Sequence, residues 1–347
     1  MNPHRIAFCI ALAATASCAN AQSTATVFGV ADLSVRRITN GPATVTGLSS
    51  GGAAASRLGF RVVEDLGGGY AASAWLESTV NFDDGTTNAA RFFNRRSTVS
   101  LSGPFGEVRL GHDLTPSYTG FGEFDTFGVS GLADQGKFYS TAAGVFGSGI
   151  DATGVWARAD NMVEYLTPNT LGGFYGQLAV AMGEGAPSKK YRGGRIGYAQ
   201  GPVHVTAAYG LFDGIGGNTL RRSSVAGSYE WGPAKFYGSV VRNAYLGASR
   251  LVTQVGTVVT VAGLHKIKLN YTRADASGVL GKALLDRNDA AQVAIGYAYD
   301  LSKRTTLYAT YAAISNKGDA NFAVGTPPAA SPGKRSRGTE FGISHRF

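Results

Sequence analysis

The sequence predicts an all-β chain: a transmembrane, antiparallel β-barrel of sixteen strands, with short periplasmic turns and long extracellular loops. Three observations carry this. Apolar and polar residues alternate from one end of the chain to the other. The segments between alternating stretches are short and long in turn. After the first twenty or so residues, no apolar run reaches the roughly 20 residues that a spanning helix needs. Period-two alternation sends neighbouring side chains to opposite faces of a sheet. Alternate short and long connections are the pattern of an up-and-down barrel. Closure is what lets a sheet satisfy all its backbone polar groups inside lipid.

The first element is a leader. "MNPHRIAFCIALAATASCANA" has a short basic start, His4 and Arg5, then an apolar stretch from Ile6 to Ala16. Ala19-Asn20-Ala21 fits small-x-small cleavage. Residues 1–21 are therefore expected to be a secretory signal peptide, and 22–347 a single barrel domain. A lipoprotein signal at Cys18 would want Leu where Thr15 stands. Both cysteines, Cys9 and Cys18, lie in the leader, so the exported chain has no disulfide and no thiolate metal site. Loss of Arg5 leaves 31 basic and 23 acidic residues, a net charge of +8. In an exported chain that balance points to anionic surfaces or solutes, with no nucleic acid as partner.

The strands follow in order. In "TVFGVADLSV", Val27, Gly29, Ala31, Leu33 and Val35 share one face, and Thr26, Phe28, Val30, Asp32 and Ser34 the other. Leu58, Phe60 and Val62 oppose Arg57, Gly59 and Arg61. Val108 and Leu110 oppose Glu107, Arg109 and Gly111; Ile267, Leu269 and Tyr271 oppose Lys266, Lys268, Asn270 and Thr272. The expected spans are 24–38, 56–64, 70–82, 92–102, 107–112, 156–167, 173–184, 191–200, 203–212, 221–231, 234–243, 250–261, 264–274, 290–299, 305–315 and 337–347. Turn signals such as "EDLGGG", "SGPFG" and "DLSKR" separate some of them. Longer polar segments lie at 39–55, 83–91, 113–155, 184–190, 213–220, 243–249, 275–289 and 316–336. An even count suits a closed antiparallel sheet with no free edge.

A soluble β-sandwich or propeller is the competing reading. Against it, one face of each strand stays apolar while the other carries the charges, and no 40-residue blade repeat is visible. Phe92, Phe93, Tyr118, Tyr165, Phe174, Tyr175, Tyr191, Tyr229, Trp231, Tyr297 and Tyr299 cluster near predicted strand ends, as in membrane-interface girdles.

Several stretches together, "TVFGVADLSV", "SRLGFRVVEDLGGG", "RRSTVSLSGPFGEVRLGHD", "RADNMVEYLTPN", "YDLSKRTTLYATY" and the terminal "HRF", resemble the general porins of Gram-negative outer membranes. The similarity is to the trimeric, sixteen-stranded type of β-proteobacteria, and it spans essentially the whole exported chain. The resemblance implies a homotrimer in the outer membrane, among lipid and lipopolysaccharide, forming a water-filled path for small hydrophilic solutes. It implies no cofactor. It also implies that Phe347 is the C-terminal aromatic read by the barrel-assembly machinery, and that 113–155 is the third loop, folded into the lumen.

A pore needs a constriction whose charges choose the solutes. Segment 113–155 carries Glu123, Asp125, Asp134, Lys137 and Asp151. On the opposite wall, alternation puts Arg57, Arg61, Arg96 and Arg109 on the lumen side, and a bulge could turn Arg95 inward. Glu77 is placed to orient one of these arginines. Charges on the lipid face would cost roughly 2–4 kcal/mol each at midplane. The expected function is passive diffusion of small hydrophilic solutes and ions, with anions favoured. A substrate-selective channel for organic anions or phosphate, and a plugged surface-binding barrel, are the alternatives. An enzyme is not expected: there is no G-x-S-x-G elbow, and His112, His204, His265 and His345 have no metal spacing.

Overall fold

The computed structural model describes residues 23–139, 157–185, 189–214 and 217–347. The expected leader, residues 1–21, and Asp151 lie outside the described residues. The strands are β1 (Thr24–Asn40), β2 (Ala43–Ser50), β3 (Arg57–Gly67), β4 (Tyr70–Thr79), β5 (Arg96–Gly103), β6 (Gly106–Leu114), β7 (Arg158–Leu166), β8 (Phe174–Ala181), β9 (Tyr191–Gln200), β10 (Val203–Asp213), β11 (Thr219–Trp231), β12 (Ala234–Tyr245), β13 (Gly247–Val261), β14 (His265–Leu280), β15 (Ala283–Leu284), β16 (Ala290–Asp300), β17 (Thr305–Asn316) and β18 (Ser336–Arg346). One short helix, α1 (Pro116–Gly122), follows β6, with Pro116 in its first turn, where a missing N–H costs nothing.

All strands belong to one sheet, and each pairs antiparallel with its neighbour. β18 returns to β1, with Val30 opposite Arg346 and Asn40 opposite Ser336, so the sheet closes. β2 lies on β1 beyond β3 and continues the same barrel strand, and β15 is a two-residue ribbon on the end of β14. Sixteen strands therefore wall the barrel.

The interior is inverted relative to a soluble protein. Val99, Leu178, Ile196 and Val225 point outward and are between 61% and 70% exposed. Glu164, Arg222, Gln254 and Gln292 point inward and are at most 1% exposed. The lumen is not evenly filled. Phe121, Phe127, Leu132, Phe138 and Tyr139 of the segment after β6 pack on Val241, Val252, Ala312 and Ile314 of the wall, together with Phe322 and Val324 of the segment after β17. Burying each phenylalanine is worth roughly 2–3 kcal/mol. The first segment thus leans on the β9–β17 side, its helix α1 against β9, β10 and β11, and leaves the β3–β7 side open.

Three expectations about connections change. Segment 243–249 is no loop: β12 and β13 run on to leave Leu246 alone between them, at φ 53°. Segment 39–55 is mostly sheet, because β1 and β2 extend as a hairpin around the Gly41-Pro42 turn. Segment 316–336 is not a solvated surface loop, since Ala320, Phe322 and Val324 are buried inside the barrel mouth. The aromatic girdle holds for Tyr165, Phe174, Tyr229, Trp231 and Tyr297, which point outward. Tyr118 and Tyr191 do not belong to it. Tyr118 sits on α1 and Tyr191 is buried, its hydroxyl accepting the Ser117 amide at 3.3 Å.

Candidate functional site

Within the lumen, a cavity of about 590 Å³ lies between the β3–β7 wall and the segment that follows β6. Arg57, Arg95, Arg158 and Arg346 supply its basic side, and Tyr118, Glu123, Ser130 and Asp134 face them across it. Arg57 is the first residue of β3. Arg95 precedes β5, where its amide donates to the Glu77 carbonyl at 3.1 Å and turns the side chain inward. The Glu77 carboxylate lies between the two: Arg95 Nε donates to Oε1 at 2.5 Å, and Arg57 Nε stands 3.8 Å from the same oxygen. Arg57 also donates to the Ala55 carbonyl at 3.1 Å. Arg158 Nε donates to the Arg95 carbonyl at 2.7 Å. Neither Arg158 nor Arg346 is in an ion pair with a carboxylate among the described residues.

The other arginines named from the sequence stand off this cavity. Arg96 lies over the Trp75 ring at 4.3 Å and 3.3 Å from Asp113. Arg61 lies over the same ring at 5.2 Å. Arg109 is enclosed by Glu107 at 2.9 Å, Asp113 at 2.9 Å and Glu164 at 3.1 Å. Alternation put all three on the inner wall, but it could not say whose charge their neighbours neutralise.

The acidic residues divide in the same way. Glu123 lines the cavity, yet its carboxylate accepts Arg195 at 2.8 Å. Asp134 lines it too and accepts the Gly136 amide at 2.5 Å. Asp125 does not face the cavity. It is buried within the inserted segment, where it accepts the amides of Phe127 at 2.7 Å and Gln135 at 3.1 Å. Burial, with Asp134 close by, pushes its carboxyl up to about 6. Lys137 donates to the Leu132 carbonyl at 2.8 Å and to Gln292 at 3.2 Å, tying the segment to the wall. Its burial pulls the ammonium down to about 8.

Below the cavity, toward the periplasmic turns, a second cavity of about 190 Å³ is lined by Lys266, Lys268, Lys303, Arg304 and Arg346, with Asp300 as the one carboxylate among its described lining residues. Sequence reasoning assigned none of these a role. Their signal was present, because Lys266 and Lys268 alternate with Ile267 and Leu269, and Arg346 follows the outward His345.

A closed sixteen-stranded wall, apolar outside and charged within, with a basic constriction, is the frame of a diffusion channel. A family model described as Gram-negative porin matches residues 9–319. The chain is a Gram-negative porin. This porin is 35% identical to outer membrane porin protein 32 of Delftia acidovorans, over 97% of its own length and 98% of that protein's. It is 28% identical to an outer membrane porin protein of Bordetella pertussis, over 87% of this chain and 84% of that one. Among solved structures, the anion-selective porin from Comamonas acidovorans is 33% identical, covers 94% of this chain and 100% of its own, and superposes with a TM-score of 0.84. The porin belongs in the outer membrane, and its transmembrane barrel makes it a channel.

Proposed function

We propose that this porin is an anion-selective channel for passive diffusion of small hydrophilic solutes and ions. The observation that carries the reading is the uneven charge of the constriction. Four guanidinium groups face one cavity, and its two acidic neighbours, Glu123 and Asp134, are already engaged by Arg195 and by the Gly136 amide. In a narrow, low-dielectric lumen such a surplus lowers the barrier for anions and raises it for cations. The lysines and arginines of the lower cavity extend the same field toward the periplasm. The similarity to an anion-selective porin supports the reading. Arg57 and Arg95, held by Glu77, are its fixed charges; Arg158 and Arg346 add two that pair with no carboxylate among the described residues. Arg61, Arg96 and Arg109 act behind them.

The channel works as a homotrimer surrounded by lipopolysaccharide, with Phe347 as the signal read by the assembly machinery. Residues 1–21 are removed on export. No enzymatic step is part of the function.

The test is the reversal potential of purified porin in a planar bilayer under a KCl gradient. Wild type should prefer chloride. Arg57→Ala/Arg95→Ala/Arg158→Ala should lose most of that preference, a several-fold fall in the permeability ratio. Cation preference in wild type, or indifference to the triple substitution, would overturn the reading.

A further inference from the structure

The second barrel strand is interrupted where it passes Asp32. Val30 pairs with Arg57 of β3, and Leu33 pairs with Ser50 of β2. Two residues of β1, Ala31 and Asp32, therefore face six on the other side, 51–56. An ordinary β-bulge adds one residue; this excursion adds four. Its sequence is Gly-Gly-Ala-Ala-Ala-Ser, with no side chain larger than a methyl or hydroxymethyl. Ala53 and Ala54 line both basic cavities, the one at Arg57 and the one at Lys268. The excursion thus stands in the lumen between them.

One side chain holds it there. Asp32 is fully buried on the inner face of β1. Its carboxylate accepts the amides of Gly52 at 2.7 Å, Ala53 at 3.1 Å and Ala54 at 3.0 Å, and the Tyr308 hydroxyl at 2.6 Å. The Asp32 backbone binds both ends: its carbonyl accepts the Gly51 amide at 2.9 Å and the Ser56 hydroxyl at 2.9 Å. From the lumen side, the inserted segment closes on the same turn, since a Cβ on Gly131 would collide with the Gly52 carbonyl. Three convergent amides on one carboxylate are charge-assisted hydrogen bonds, stronger than the ladder bonds that the strand gives up.

We infer that residues 51–56 are a second constriction of the channel, latched in the lumen by the Asp32 carboxylate, and that Asp32 is the positioning residue that sets the width between the two basic cavities. Nothing on the excursion can bind a solute by charge. It narrows the path with backbone and methyl groups, and so brings passing anions against Arg57 above and Arg346 beside it. This rests on the lumen being the conducting path.

The test compares single-channel conductance in KCl, and the largest sugar that enters proteoliposomes, for wild type, Asp32→Ala, Tyr308→Phe and a variant lacking residues 52–55. The excursion-deleted variant keeps Asp32 and serves if Asp32→Ala does not fold. Release or removal of the excursion should raise conductance about twofold and admit larger sugars, with Tyr308→Phe between wild type and Asp32→Ala. The chloride preference should fall as the path widens, a change that loss of stability alone would not produce. Wild-type conductance and sugar limit in folded Asp32→Ala, or in the deletion, would overturn the inference and leave the channel reading standing. Absence of current in wild type would overturn both.

Discussion

Arg109 and Arg158 are both inward-facing arginines of the same wall, yet they are set for different work. Arg109 is surrounded by three carboxylates, two of which, Asp113 and Glu164, are buried. Arg109→Ala should leave Glu107 and Glu164 without their guanidinium partner, while Asp113 keeps Arg96, and cost about 3–5 kcal/mol. It should lower the unfolding temperature while leaving chloride preference close to wild type. Arg158→Ala removes a cavity charge with no carboxylate partner among the described residues, so it should do the reverse, shifting the reversal potential and barely moving the melt. The sequence could place both residues on the inner face, because a period of two fixes faces. It could not rank them, since Glu164 comes from a strand more than 50 residues further on. Acid–base behaviour adds a second residue-scale expectation. Asp125 rises from an ordinary 3.8 to about 6, so its favourable contribution is complete at low pH and is lost as pH climbs through 6. Lys137 falls to about 8 from 10.5, so its contribution returns only above that value. The inserted segment should be least protected against amide hydrogen exchange between about pH 6 and 8. Asp125→Asn should flatten the acid side of that profile.

At the scale of elements, the strands were readable and the connections were not. β9 runs from Tyr191 to Gln200, as alternation predicts. Residues 243–249 read as a loop because Asn, Gly and Ser crowd there, but pairing of β12 with β13 carries the ladder to Tyr245 and Ala248 and overrides local preference. The cost falls on Leu246, which holds a left-handed backbone and is largely exposed. Leu246→Gly should therefore stabilise the hairpin by about 1 kcal/mol, read as a higher melting temperature. The segment after β17 misled in another way. Its Pro, Gly, Lys and Arg residues look solvated, while Phe322 and Val324 insert against Phe138 and Leu132. Ala320, Phe322 and Val324 keep a period of two for only five residues, too short a run to mark a buried segment, so only the packed lumen identifies their place.

For the molecule as a whole, selectivity is a field effect and should depend on salt. The Debye length is about 10 Å at 0.1 M and about 3 Å at 1 M, on either side of the scale of a pore. Reversal potentials taken across the same KCl ratio should give a strong chloride preference at low mean concentration and a weaker one near molar salt. A preference unchanged by salt would mean that close contact, rather than the summed charge of the lumen, makes the choice.

The seam between β1 and β18 sets when this molecule can become a barrel. Val30 bonds to Arg346, and the amide of Gly29 donates to the carbonyl of Phe347 at 3.0 Å. These contacts join the first strand to the last, so ring closure has the largest loop entropy of any pairing in the sheet. Every other hairpin can form locally, in any order. Until the last strand arrives, β1 and the growing edge both expose unpaired backbone to whatever strand is nearby. Assembly is therefore a race between intramolecular closure and capture by a neighbour, and it is decided by β18.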